Sequence, residues 1–251
     1  MKRIVAASAA LLLAVPAPGL AAPAIQPPAA AKPVAAKAME LSLVLNPTEA
    51  MLDLSMRAFD AGFANGAKND ATAAALFAEN PGLMDVMLAA AHPVVRKHML
   101  LGIPAMQKRF AEFYGKSFSD VEMDALLGFY RSPTGKKLIA GMYAGADLAS
   151  LVEAAGADGE GAFTPENVRG FTHSTTKRIL PAFNDDDKKM FVEFMGQPAF
   201  AKLNKILPEF RQLMAEVANE PSSPEMDADL SRAVDRAVEE YFASRSTRDL
   251  G

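Results

Sequence analysis

Cysteine is absent from the 251 residues, and histidine occurs only three times. Without cysteine there is no disulfide, no thiolate nucleophile and no cysteine-ligated metal, and a lipid-modified anchor has no residue to carry it. The histidines do not compensate. His92 and His98 lie about 240° apart around a helix, so they cannot share a face, and His173 stands alone. No His-Glu-x-x-His occurs, and Asp185-Asp186-Asp187 lacks the alternating carboxylates and glycine of a calcium loop. Neither metal nor cofactor is expected. A basic tract is missing too, which leaves no electrostatic footprint for nucleic acid. Alternating β-branched runs and strand-joining hairpin dipeptides are absent, so no sheet is expected.

What is present points first to export. Lys2 and Arg3 precede twelve uncharged, mostly apolar residues (4–15), and Gly19-Leu20-Ala21 and Ala22-Pro23-Ala24 supply small residues at cleavage spacing. The apolar run falls short of the ~20 residues that span a membrane and suits a secretory signal, cut after Ala21 or Ala24. Removing residues 1–21, which carry two basic and no acidic residues, takes the formal charge from −4 to −6. No later stretch is apolar enough to span, so the mature chain is expected in the periplasm.

Residues 22–45 are Ala/Pro-rich and read as a flexible linker. A single all-α domain is expected over 46–245, with a flexible tail at 246–251. Asn46-Pro47-Thr48-Glu49 reads as a capped helix start, followed by Leu52, Met56, Phe59 and Phe63 on one face and an end near Gly66. Further helices are expected over about 70–79, 82–91 and from Pro93 to Gly115, with starts at Ser119, Thr164-Pro165-Glu166, Asn184 and Ser223-Pro224-Glu225. Leu230, Ala233, Val234, Ala237, Val238 and Tyr241 form the last apolar stripe. Fifteen Phe and fourteen Met supply core. Met84, Met87, Met99 and Met106 either fill it or line an adaptable groove.

Residues 118–138, FSDVEMDALLGFYRSPTGKKL, align without gaps on residues 183–203, FNDDDKKMFVEFMGQPAFAKL, at a constant offset of 65. Each copy reads as a capped helix, a break enforced by proline, and a second helix starting at that proline. The fold expected is therefore a helical bundle with an internal repeat of helix–proline break–helix hairpins near 118–150 and 183–218. Generic similarity between two amphipathic hairpins is the competing account. Phe118 and Phe183 sit where a hydrophobic staple would lie.

The first copy resembles the signature of the domain-of-unknown-function 2059 family of exported bacterial helical proteins. Phe118, Ser119, Glu122, Leu126, Phe129, Tyr130, Ser132, Pro133, Gly135, Lys137 and Leu138 carry the resemblance, which covers about residues 85–150. It implies a helical fold and export, and brings no catalytic residue with it.

Two segments invite a chemical reading. Ser132-Pro133-Thr134-Gly135-Lys136-Lys137 could hold an anion at a helix N-terminus, but lacks phosphate-loop spacing and a preceding strand. Capping explains it: Ser132 as cap, Pro133 at the first helical position, Gly135 for close packing, both lysines toward solvent. Ser174 and Lys177 match Ser-x-x-Lys, without the companion elements a penicillin-recognising enzyme needs. Small residues at Gly141 and Gly145, with Ala140, Ala144 and Ala149, predict a closely approaching helix. The expectation is a non-catalytic periplasmic module binding an envelope protein. The alternatives are a carrier of an apolar small molecule or lipid, and an envelope hydrolase.

Overall fold

A computed structural model describes residues 35–145, 148, 151 and 163–248. The residues expected to form the signal, most of the expected linker, the C-terminal three residues and Ala149 lie outside it. The described elements are α1 (Ala36–Leu45), α2 (Thr48–Asn69), α3 (Ala71–Glu79), α4 (Leu83–Ser117), α5 (Asp120–Tyr130), α6 (Pro133–Ala144) and α7 (Pro165–Ile179). A 3-10 turn (Leu180–Ala182), α8 (Asp185–Met195), α9 (Pro198–Ala218) and α10 (Pro224–Arg248) complete them. No strand occurs among the described residues, and the fold is an all-α bundle.

Order begins earlier than Asn46. The linker expected through residue 45 ends in α1, whose Ala38, Leu41 and Ser42 are completely buried against the bundle. The prolines of this stretch stop at Pro33, and residues 38, 41, 42 and 45 do carry helical spacing. Alanine and serine disguised it. Asn46 consequently ends α1 rather than capping α2: its N–H and side-chain amide both donate to the Ser42 carbonyl. The capping box expected at 46–49 does not form, and Pro47 occupies the cap position. The α2 helix also passes Gly66 and ends at Asn69.

Pro93 does not start a helix. One 35-residue helix, α4, carries both Pro93 and Pro104 inside it. An interior proline costs roughly 3 kcal/mol in a helix. Packing offsets that here: Leu83, Met87, Ala91 and Val95 continue as one buried stripe through the proline and meet Leu230, Val234 and Val238 of α10.

Two apolar cores result. One gathers α1, the C-terminal half of α4, α5, α6, α8 and α9 around Phe110, Tyr114, Leu126, Phe129 and Phe194. The other joins Phe63 of α2, the N-terminal half of α4 and α10. Met56 and Met99 touch both. Met87 is buried in the second core, which Met84 flanks, while Met106 flanks the first. Gly141 lets α7 approach α6, since a Cβ there would stand 2.9 Å from Ile179 Cγ1.

A buried polar network pins the elbow between α1 and α2. Ser42 Oγ donates to the Gln107 carbonyl (2.7 Å), and Gln107 Nε2 donates to the Asn46 carbonyl (2.8 Å) and Thr48 Oγ1 (3.2 Å). Each partner satisfies another, so burial costs little.

Candidate functional site

The element that drew the eye in the sequence is a docking joint. Ser119 accepts from the Glu122 N–H, while Glu122 Oε2 accepts from the Ser119 N–H (2.7 Å) and Oγ (2.9 Å). Asn184 and Asp187 close the corresponding box on α8, with Asp187 N–H on Asn184 Oδ1 at 2.8 Å. These reciprocal bonds satisfy amide groups that a helix start leaves unpaired. Phe118 and Phe183, just before the caps, are buried. At the breaks, Ser132 Oγ accepts from the Gly135 N–H at 3.1 Å and Pro133 opens α6. In the second copy Pro198 opens α9 without a side-chain cap.

Gly135 has a steric reason. A Cβ there would run into the Phe129 carbonyl oxygen and lie 2.5 Å from Tyr130 Cα, both backbone atoms of the preceding helix. Close packing of the two hairpin arms requires its absence.

The two hairpins meet through their caps. Lys137 Nζ donates to Asp187 Oδ2 at 2.6 Å, and Thr134 Oγ1 donates to Asp187 Oδ1 at 2.7 Å. Lys202 Nζ donates to Glu122 Oε2 at 2.7 Å and lies 5.8 Å from the Phe118 ring centre. Between these pairs the rings of Phe129 and Phe194 stack, with centroids 3.8 Å apart and planes within 2°. Tyr130 meets Phe194 edge-on, and burial pushes its phenol up to about 12. The Lys202 ammonium, with the Ser119 N–H and hydroxyl, holds the Glu122 carboxyl down at about 2. Lys137 and Thr134 likewise lower Asp187.

These groups are fasteners. A carboxylate locked ionised far below neutrality is a poor general acid or base, which works best near the operating pH. Lys136 and Lys137 are both exposed, as expected, and the Lys137 ammonium also reaches Asp187. Ser174 Oγ donates to the Phe171 carbonyl of its own helix, and Lys177 is exposed. His92 pairs with Asp60 and His98 with Asp229 on separate faces of α4. Among the described residues no three potential metal ligands converge. Nor is any described helix long and apolar enough to cross a membrane.

Sequence inspection missed the two lysine–carboxylate pairs. A signal was present: in each copy the third helical residue is acidic and a lysine follows fifteen positions later, 122 to 137 and 187 to 202.

The molecule is thus an all-helical protein whose most specific contacts lie between two proline-broken hairpins. Residues 104–157 match the model of the family described as "Uncharacterized protein conserved in bacteria (DUF2059)", the family that the 118–138 element resembles. The match begins inside α4 rather than near residue 85 and covers the first hairpin, not the second. No curated protein and no solved structure matches the chain.

Proposed function

We propose that this chain is exported to the periplasm and works there by binding a helix of an envelope protein, without catalysis. Export rests on Lys2, Arg3, the short apolar run and the small residues before Ala21 and Ala24. The interaction reading rests on one asymmetry between corresponding helices. Met123, Leu127 and Tyr130 of α5 form a stripe that is turned inward, with Leu127 4% exposed. Helix α1 lies against α5 and is tied to it by Lys37–Asp124 (2.8 Å) and Arg131–Glu40. The corresponding stripe of α8 is Lys188, Val192 and Met195, with Val192 60% exposed.

The α8 face therefore suits what the α5 face already holds, a short helix presenting small and apolar residues. Charge sharpens the description. Where α5 offers Asp124 to Lys37, α8 offers Lys189, so the partner helix carries an acidic residue at that point. A carrier would instead need an enclosed apolar chamber. The grooves beside the hairpins are open and rimmed by charge, one by Arg109, Glu112, Lys116 and Glu209, the other by Glu122, Lys202, Lys205 and Glu209. This favours the protein reading. So does the locking of Glu122 by Lys202 and of Asp187 by Lys137, which takes both hairpin carboxyls out of acid–base chemistry.

The test places a photoreactive residue at Val192 and, as control, at exposed Val121 of the exported chain. A discrete protein adduct from position 192 only, weakened by Lys189→Glu, supports the proposal. Equal labelling from both positions, no adduct, or recovery of lipid alone overturns it. Export is checked separately by N-terminal sequencing of the mature chain, where an intact Met1 would refute it.

A further inference from the structure

We infer that residues 118–138 and 183–203 are two copies of one self-complementary docking unit, each the other's binding partner. The offset of 65 comes from sequence alone, so contacts that obey it are independent of the alignment. In a twofold interface, residue i of one copy meets j of the other while j meets i, and a residue on the axis meets its own counterpart. All of this occurs here. Glu122 meets Lys202, the counterpart of Lys137, and Lys137 meets Asp187, the counterpart of Glu122. Phe129 stacks on Phe194, which is its own counterpart, as a residue beside the axis would. Whole helices follow the same exchange: α5 packs on α9, and α6 on α8.

Three contacts obeying one rule are not what two generic amphipathic hairpins supply. Amphipathic stripes would bury phenylalanine but would not place each cap's acid against the other hairpin's lysine. The interaction code is compact: an acid at the third helical position, an aromatic seven residues on, a proline four beyond that, and a lysine four after the proline. The family match contains one such unit, and this chain supplies its partner in cis. The pairing is independent of whether α8 receives a helix from elsewhere.

One contact breaks the symmetry and so provides the test. Thr134 donates to Asp187, whereas its counterpart Ala199, equally buried, has no hydroxyl to offer Glu122. Twofold equivalence places the hydroxyl introduced by Ala199→Thr beside the Glu122 carboxylate, most closely in the double variant A199T/E122D. Ala199→Val introduces the same volume without the hydroxyl. The full chain carrying A199T, alone or with E122D, is expected to melt at least about 2 °C above its A199V counterpart, because the new donor finds an acceptor. Melting at or below the valine variants overturns the inference. Zero-length carbodiimide coupling of the unmodified chain gives a second reading that no substitution can confound. Two cross-linked peptide pairs, 137–187 and 122–202, are expected together in the monomer band, with Lys137→Met removing only the first. Formation of one pair alone, or of neither, overturns it.

Discussion

The two cores are built from the same kind of amphipathic helix yet are specified differently. In the hairpin core, position matters residue by residue: two capping boxes, two proline breaks, a glycine with backbone against it and a pair of stacked rings. In the α4–α10 core, Leu83, Met87, Ala91 and Val95 meet Leu230, Val234 and Val238, a seam that many aliphatic sequences could make. Its polar locks lie at the margins, where Asp229 gathers Lys97, His98 and Arg232, and the Tyr241 hydroxyl donates to the Pro81 carbonyl. A joint that depends on individual atoms leaves a recognisable signature, whereas a seam that depends on volume and period leaves only a pattern. The family match falls on the first.

The comparison breaks most severely at the ring stack. Phe194→Ala removes a fully buried ring and should cost about 3–5 kcal/mol. If the cores are separable, amide exchange should rise in α5, α6 and α8 while α10 keeps its protection. Leu83→Ala, also fully buried, should cost about 2–5 kcal/mol in the opposite pattern, loosening α3 and α10 first. Uniform loss of protection in either variant would mean that the two cores are one cooperative unit. Gly135→Ala comes next. The added methyl faces rigid backbone, so roughly 1–3 kcal/mol of overpacking strain is expected, read as a lower denaturant midpoint. The same change at Gly170, with open space around it, should instead be neutral or mildly stabilising.

The smallest effect is electrostatic. Glu122 in the folded chain sits at about 2, below the ordinary 4.5 it has when unfolded, so the folded state binds its proton later. The contribution is present above pH 4.5 and is lost as pH falls toward 2. Lys202→Met removes the largest cause of that depression. The gap in melting temperature between wild type and variant should be widest above pH 4.5 and narrow below it. A gap that stays constant from pH 7 to pH 2 would show that the ammonium does not hold the carboxylate.

Much of this architecture was legible because it is local. Ser119, Asn184, Thr164 and Ser223 announce helix starts by residue type, and the side chain of each accepts a hydrogen bond from a backbone N–H at that start. Asp70 caps α3 in the same way. The misreadings have a common cause, which is that tertiary packing overrode a local signal. Pro93 is a helix breaker by its own chemistry, and the α10 seam carries the helix through it. Ala36–Leu45 looked like linker because its partners, Gln107 and the α5 arm, lie more than sixty residues away. Lys137 is exposed as its position suggested, but its ion pair was hidden because Asp187 lies fifty residues downstream.

Helix α4 has a mechanical consequence. At ~1.5 Å per residue its 35 residues make a beam about 52 Å long, with the α10 seam near one end and the hairpin joint near the other. Pro93 and Pro104 each remove one rung of its hydrogen-bond ladder, leaving the carbonyls of Ala89 and Leu100 without their usual donors. Pro93 lies inside the α10 seam, between Ala91 and Val95, whereas Pro104 lies beyond it, beside Ile103 of the hairpin core. Any load passed from α10 to the hairpins along α4 would therefore cross a single weakened rung, the one at Pro104.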